Sequence, residues 1–197
     1  MLLSLARQAA DASVVDRAAH GDRAAFDVLT TTHSGRLYSV ARMILRDDEM
    51  AADALQEALV RAWRDLPRLR DQERFGAWLH RLLVNACYDE VRRKRRWRLD
   101  VSATDDGLDA AAGDTSDAGD DVADRDQLAR GLSRLPLDQR VVLVLRYYLD
   151  VPQAEIAETL GIPVGTVKSR VNHGIAALRA VLEADLRAPT AVRRGRA

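Results

Sequence analysis

The stretch QAEIAETLGIPVGTVKSRVNHGIAAL, residues 153–178, decides the fold of the C-terminal half. Its first eight residues, Gln153 to Leu160, place Ile156, Ala157 and Leu160 on one side of a short helix. Gly161 then supplies the left-handed conformation that a helix C-terminus favours. Pro163 cannot continue that helix and pushes Ile162 out of the helical region. A second helix is predicted to start near Val164. Its apolar residues Val164, Val167, Val171, Ile175, Leu178 and Leu182 recur at spacings of three and four, so one stripe faces a core. The opposite face carries Thr166, Ser169, Asn172 and His173, flanked by Lys168 and Arg170. Two short helices, a tight glycine turn and a polar, basic second helix describe a helix-turn-helix, the motif that lays its second helix in a DNA major groove. The plainer alternative is a helical hairpin with a solvated face.

Working outward, 197 residues suffice for one or two domains, and a 47% hydrophobic content suffices for real cores. The formal net charge of zero hides a segregation. Residues 100–124 hold nine aspartates and no lysine or arginine, so the rest of the chain carries +9. All the basic residues but Lys94 and Lys168 are arginine, a side chain suited to phosphate and base-edge contacts. Cys87 is the one cysteine, which excludes a disulfide framework and a cysteine metal site. His20, His33, His80 and His173 do not fall at metal-ligand spacing, and no metal or cofactor is expected. The N-terminal LLSLA run is too short for a signal peptide. No apolar run approaches the roughly 20 residues needed to span a bilayer, so no membrane insertion is expected and a cytoplasmic protein is.

The N-terminal half reads as helices throughout. Residues 13–20 and 22–46 are predicted helices separated by Gly21, with TTTHSG at 30–35 a kink or a break. Asp47 and Asp48 open the next helix, where negative charge suits the dipole. It runs to about Leu66, with Leu55, Leu59, Trp63 and Leu66 as the expected buried stripe. Asp53, Gln56, Glu57, Val60, Arg61 and Arg64 lie on its other side, which periodicity alone reads as solvated. After the polar loop PRLRDQER, a long helix runs from about Phe75 to Trp97. Phe75, Trp78, Leu79, Leu82, Leu83 and Ala86 are its core residues. Asn85, Asp89, Arg92 and Arg93 follow at helical spacing, so Asp89 can pair with Arg92 or Arg93. The helix ends in RRKRRWR, residues 92–98, where an aromatic among cations suits stacking on a nucleic-acid base.

Residues 99–124 change character and read as an acidic, flexible linker. Helices at about 126–134, 137–150 and 153–160 precede the last one. The run Val141, Val142, Leu143, Val144, Leu145 and Tyr148 must be mostly buried. Past Leu186 the sequence reads as a disordered basic tail. The expected architecture is all-α: two small helical domains, 1–97 and 126–186, joined by a linker at 98–125 and followed by a tail at 187–197. Nothing in it resembles a nucleophile, an acid–base pair, a phosphate loop or a metal cluster.

Three motifs in order carry a family resemblance: DALQEALVRAW at 53–63, FGAWLHRLLVNACYDEVRRKRR at 75–96 and LRYYLDVPQAEIAETLGIPVGTVKSR at 145–170. With the acidic linker between the second and third, the chain resembles a bacterial RNA polymerase sigma factor of the extracytoplasmic-function type, in the sigma-70 superfamily. The resemblance covers roughly residues 20–97 and 126–183.

The resemblance implies a transcription initiation factor, not an enzyme. Such a factor binds core RNA polymerase, directs it to promoters with −35 and −10 elements, and helps open the −10 strands. On it, Asp53, Gln56, Glu57 and Val60 become the expected polymerase-docking residues. Asn85, Asp89, Arg92, Arg93, Arg95, Arg96 and Trp97 become the expected −10 residues, acting on single-stranded DNA through a flipped base and its phosphates. Thr166, Lys168, Ser169, Arg170, Asn172 and His173 become the expected −35 residues on double-stranded DNA, with backbone amides near Gly165 and Thr166 offered to a phosphate. The position of His173 is commonly arginine in the family, and a neutral histidine cannot make the bidentate guanine contact. Gly174 in mid-helix costs about 1 kcal/mol relative to alanine and implies close approach to a neighbouring helix or to DNA. An anti-sigma factor is a further expected partner. The linker spans about 85 Å at full extension, and it reads equally as an RNA mimic in the polymerase cleft or a plain tether, with a segment that folds back on the basic surfaces as a third reading. A stand-alone dimeric DNA-binding regulator remains the rival reading. It has no need of both the acidic 53–60 face and the basic end at 92–98.

Overall fold

Prolines and glycines punctuate the chain. The computed structural model describes residues 13–102, 127–128 and 130–187. Pro136, Pro152 and Pro163 each stand one residue before a helix, where a fixed φ is pre-organised and a missing N–H costs nothing. Among the described residues every regular element is helical. The chain divides into two compact units, Met1–Gly113 and Asp114–Ala197.

In the first unit, α1 (residues 13–19) ends at Gly21, whose φ is +90°. Asp22 caps α2 (Arg23–Leu45), accepting from the Ala25 amide at 3.1 Å and from Arg17 Nε at 2.9 Å. The poor helix formers at 30–35 do not break α2. Their hydroxyls return to the helix, Thr30 Oγ1 donating to the Asp27 carbonyl at 3.0 Å and Thr32 Oγ1 to Val28 at 2.7 Å. Arg46 closes α2 in the left-handed region, and Asp47 at once caps α3 (Asp48–Asp65), taking the Met50 amide at 3.0 Å. Two short 3₁₀ turns, Leu66–Arg68 and Gln72–Arg74, lead into α4 (Phe75–Ser102).

The buried stripe of α3 differs from the expected one. Ala51, Ala54, Ala58 and Ala62 are buried, with Leu66 beyond the helix, while Leu55 and Leu59 are half-buried and Trp63 is 37% exposed. α3 packs on both α2 and α4, and a small-residue seam lets helix axes close toward the short end of their usual 8–10 Å. Trp63 instead lies edge-on to Phe26 of α2 at 4.9 Å between ring centroids. Leu29, Leu37, Val40 and Ile44 of α2 and Leu79, Leu83, Val84 and Cys87 of α4 complete this core. α4 also runs five residues past its expected end at Trp97, so the backbone is helical where the linker was expected to begin. The rest of the linker and the basic tail from residue 188 lie outside the described residues.

In the second unit, a short helix α5 ends at residue 133 and α6 (Leu137–Leu143) continues into a π-helical turn, Val144–Tyr148. The five consecutive apolar residues Val141–Leu145 are all buried, but Tyr147 and Tyr148 turn outward, the latter against expectation. The widened turn explains this: the Leu149 amide reaches back to the Val144 carbonyl at 3.2 Å, rotating the aromatic pair off the core side. α7 (Gln153–Leu160) ends at Gly161 with φ +64°, as the sequence predicts, and α8 (Val164–Arg187) follows. Val167 and Val171 are buried, whereas Val164 at the head of the expected stripe is exposed.

Gly174 now has a cause. A Cβ there would lie 3.0 Å from Leu143 Cδ1 and 3.2 Å from Leu143 Cγ, so the missing side chain lets α8 close on α6. Gly131 plays the same part against Leu178 of α8.

Candidate nucleic-acid and polymerase interfaces

The outer edges of α3 and α4 meet in a cluster of four carboxylates and three guanidiniums. Glu57, Arg61, Asp89 and Arg92 form one chain of ion pairs. Arg61 Nε donates to Glu57 Oε1 at 2.6 Å and its Nη2 to Asp89 Oδ2 at 2.9 Å, while Arg92 Nη1 lies 3.4 Å from Asp89 Oδ1. Asp53, Arg93 and Glu90 form the second, with Arg93 Nη2 at 2.7 Å from Asp53 Oδ2 and 2.6 Å from Glu90 Oε2. Hydrogen bonding to Glu57 raises the Arg61 pKa further, and that guanidinium is 25% exposed. Glu90 is buried, which pushes its carboxyl up; Arg93 opposes the rise and Asp53, Asp89 and Glu57 add to it. The site residues expected on two helices thus touch, with one difference: only Arg92 pairs with Asp89, while Arg93 crosses to α3. Arg61 and Glu90 are the members sequence reasoning passed over. Arg61 stands four residues after Glu57, the spacing of a helical ion pair, and that signal was legible.

The rest of the expected set divides by exposure. Gln56 and Val60 stand outward on α3, and Asn85 is exposed on α4, one turn before Asp89. Arg95, Arg96 and Trp97 are exposed at the basic end, and neither arginine makes an ion pair among the described residues. Lys94 looks like their companion in sequence but faces inward. Its Nζ sits 2.7 Å from Asp47 Oδ2, and that bond, with the Met50 amide, holds the Asp47 carboxyl below the usual range. The basic end of α4 is therefore split: Arg93 and Lys94 fasten α4 to α3, and Arg95 and Arg96 beyond them stand exposed.

On α8, Lys168, Ser169, Asn172 and His173 are exposed on the side opposite Val167 and Val171. Thr166 is half-buried, and its amide donates to the Pro163 carbonyl at 2.9 Å, so that amide is not on offer to a phosphate. Arg170 is 28% exposed and its Nη2 sits 2.7 Å from Asp138 Oδ2 at the start of α6. It is held toward the domain body more than the other five. Elsewhere, burial pushes the Cys87 thiol up to about 12, which leaves no thiolate nucleophile at neutral pH. Among the described residues no group of His, Cys, Asp and Glu is placed to hold a metal ion, and no helix is long and apolar enough to cross a membrane.

Comparison with known proteins matches both units. Residues 29–97 match the family model for sigma-70 region 2, and residues 125–178 match that for sigma-70 region 4. The ECF RNA polymerase sigma factor SigM of Mycobacterium tuberculosis is 35% identical over 172 residues, 87% of this chain and 84% of that protein. The chain belongs to the ECF-type sigma-70 factors. The sigma factor also resembles CnrH, solved in complex with the cytosolic domain of CnrY, at 29% identity and a TM-score of 0.63, over 89% of this chain and 99% of that one. Its fold is shared with the sigma factor RpoE of Bartonella quintana, solved with the anti-sigma factor NepR, at 23% identity and a TM-score of 0.65, over 81% and 98%. It is a promoter-directing transcription initiation factor, and its relatives are sigma factors, not enzymes.

Proposed function

We propose that this sigma factor docks on core RNA polymerase through the outer face of α3, with Asp53, Gln56, Glu57 and Val60 in contact. The N-terminal domain, residues 1–97, takes the −10 element, Asn85 and Asp89 facing the single strand, Arg92, Arg93, Arg95 and Arg96 holding phosphates, and Trp97 stacking. The C-terminal domain, residues 126–186, sets α8 in the −35 major groove through Lys168, Ser169, Asn172 and His173, with Thr166 and Arg170 at the margin. The protein works in the cytoplasm, carries no catalytic activity and needs no cofactor. An anti-sigma protein controls it; the CnrH structure, solved with the cytosolic domain of CnrY bound, supports a protein partner.

The observation that carries this reading is the split at the end of α4. Arg95, Arg96 and Trp97 stand exposed while Lys94 is fastened inward. A structural role for the end of the run would have engaged Arg95 and Arg96, as ion pairs engage Arg92, Arg93 and Lys94. The test is co-elution of the purified chain with bacterial core RNA polymerase on a sizing column, followed by transcription from a promoter library. Co-elution and promoter-dependent transcripts are expected. A folded chain that elutes alone would sink the docking assignment.

A further inference from the structure

The proposed −35 reader carries two neighbouring cations on α8, and they differ in their surroundings. At about 100° per residue, Lys168 and Arg170 flank Ser169 on opposite edges of the helix. Lys168 is exposed and makes no ion pair among the described residues. Arg170 is half-buried, its Nη2 2.7 Å from Asp138 Oδ2 in the first turn of α6. We infer that Asp138 is a specificity-determining residue of the −35 reader: it masks Arg170 from the phosphate backbone and so leaves recognition to the side chains that face the bases. The inference rests on the proposed seating of α8 in the major groove.

The masking is built into the packing of the domain. Gly174 lies one turn after Arg170 on the same side of α8. A Cβ there would meet Leu143 Cδ1 at 3.0 Å and Gln139 Cβ at 3.5 Å, so its absence lets the start of α6 come close. Asp138 stands next to Gln139, and this approach brings its carboxylate to the guanidinium. A phosphate reaching for Arg170 must displace that carboxylate and bear its repulsion. In a helix lying in the groove, the edges face the phosphate backbones and the middle faces the bases. Phosphate contacts strengthen binding to every sequence alike, whereas base-edge contacts tell sequences apart. Quenching one edge cation therefore trades sequence-blind affinity for discrimination. The trade suits this helix. Ser169, Asn172 and a neutral His173 lack the bidentate arginine–guanine contact, so a strong phosphate grip on both edges would swamp what they read.

The experiment has two arms, both on the full chain. In the first, anisotropy of a labelled random-sequence DNA duplex reads sequence-blind binding across a salt series. Asp138→Asn is expected to tighten it about two- to eightfold near 0.1 M salt and to steepen the salt dependence by about 0.9, the slope of one added phosphate contact. Lys168→Gln should weaken binding by a similar factor, while Arg170→Gln, already masked, should change it less than about twofold. In an Arg170→Gln background the Asp138→Asn gain should vanish. An equal gain there means mere loss of negative charge and overturns the inference. Unchanged or weaker binding by Asp138→Asn also overturns it, since the carboxylate then aims Arg170 at a phosphate instead of masking it. In the second arm, a pool of random duplexes is selected on the immobilised chain and sequenced. The wild type should enrich a short shared motif, and Asp138→Asn should enrich it about two- to eightfold less. If the wild-type chain, shown folded by circular dichroism, enriches no motif, the −35 assignment and the inference fall together. If it does and Asp138→Asn enriches the motif as strongly, the inference alone falls.

Discussion

His80 is the residue whose protonation the fold resists most clearly. Burial, with Arg36 and His33 nearby, lowers its pKa to about 4 from 6.5. The folded protein therefore prefers the neutral ring. Between pH 6.5 and 4 the unfolded chain binds the extra proton, so stability falls on acidification through that window and levels off below it. The loss from this group is on the order of 3 kcal/mol. Thermal unfolding followed from pH 7 to pH 4 should flatten in His80→Gln; an unchanged slope would mean other groups dominate. Lys94 and Arg95 offer a second residue-scale contrast. Lys94→Ala removes the tie to the α3 cap and should cost about 1 kcal/mol of stability. Arg95→Ala should leave stability alone and weaken strand binding. Their adjacency in RRKRRWR made them look alike, because charge is legible in a sequence and the direction of a lysine stem is not.

At the scale of elements, glycine and proline punctuation was the most readable feature. Gly161 and Pro163 place the turn of the helix-turn-helix where the structure has it, since only backbone chemistry is involved. The face of α3 was misread because leucine outranks alanine as an apolar residue while the packing distance favours the smaller one. Gly174 answers to Leu143, 31 residues earlier, a neighbour that only the packing of α8 on α6 brings near. At this scale Gly174→Ala should stay within about 1 kcal/mol of wild type, helix propensity offsetting a contact that Leu143 can relax. Gly174→Val should cost about 2 kcal/mol or more, read from urea unfolding. Arg92→Ala with Arg93→Ala at the end of α4 should slow −10 opening, followed by a fluorescent base at that element, more than it weakens −35 binding. Equal loss of both would count against two separate readers.

The whole molecule is two cores on one chain. The two-domain, all-helical plan was legible because nine aspartates between two apolar-periodic halves leave nothing to pack. The ion pairs that join proposed docking and strand-binding residues were not legible, since Asp53 and Arg93 are 40 positions apart and meet only when α3 lies on α4. Calorimetry should resolve two transitions. Leu83→Ala should lower one and Leu145→Ala the other, each by about 2–5 kcal/mol, because each leucine is fully buried in its own unit. A single transition shifted by both would mean the units unfold as one. The alanine seam of α3 carries a last consequence, for heredity. Ala51, Ala54, Ala58 and Ala62 have almost no smaller substitute, and every larger one wedges two helices apart. Toward the opposite side of the helix, Asp53, Gln56 and Glu57 fold with nearly any side chain. In a library of all single variants of α3, the four alanine codons should be the ones depleted by abundance alone, and their acidic neighbours only when transcription is what cells are selected for. The same eighteen residues would thus record two selections, one for existing as a fold and one for finding a partner.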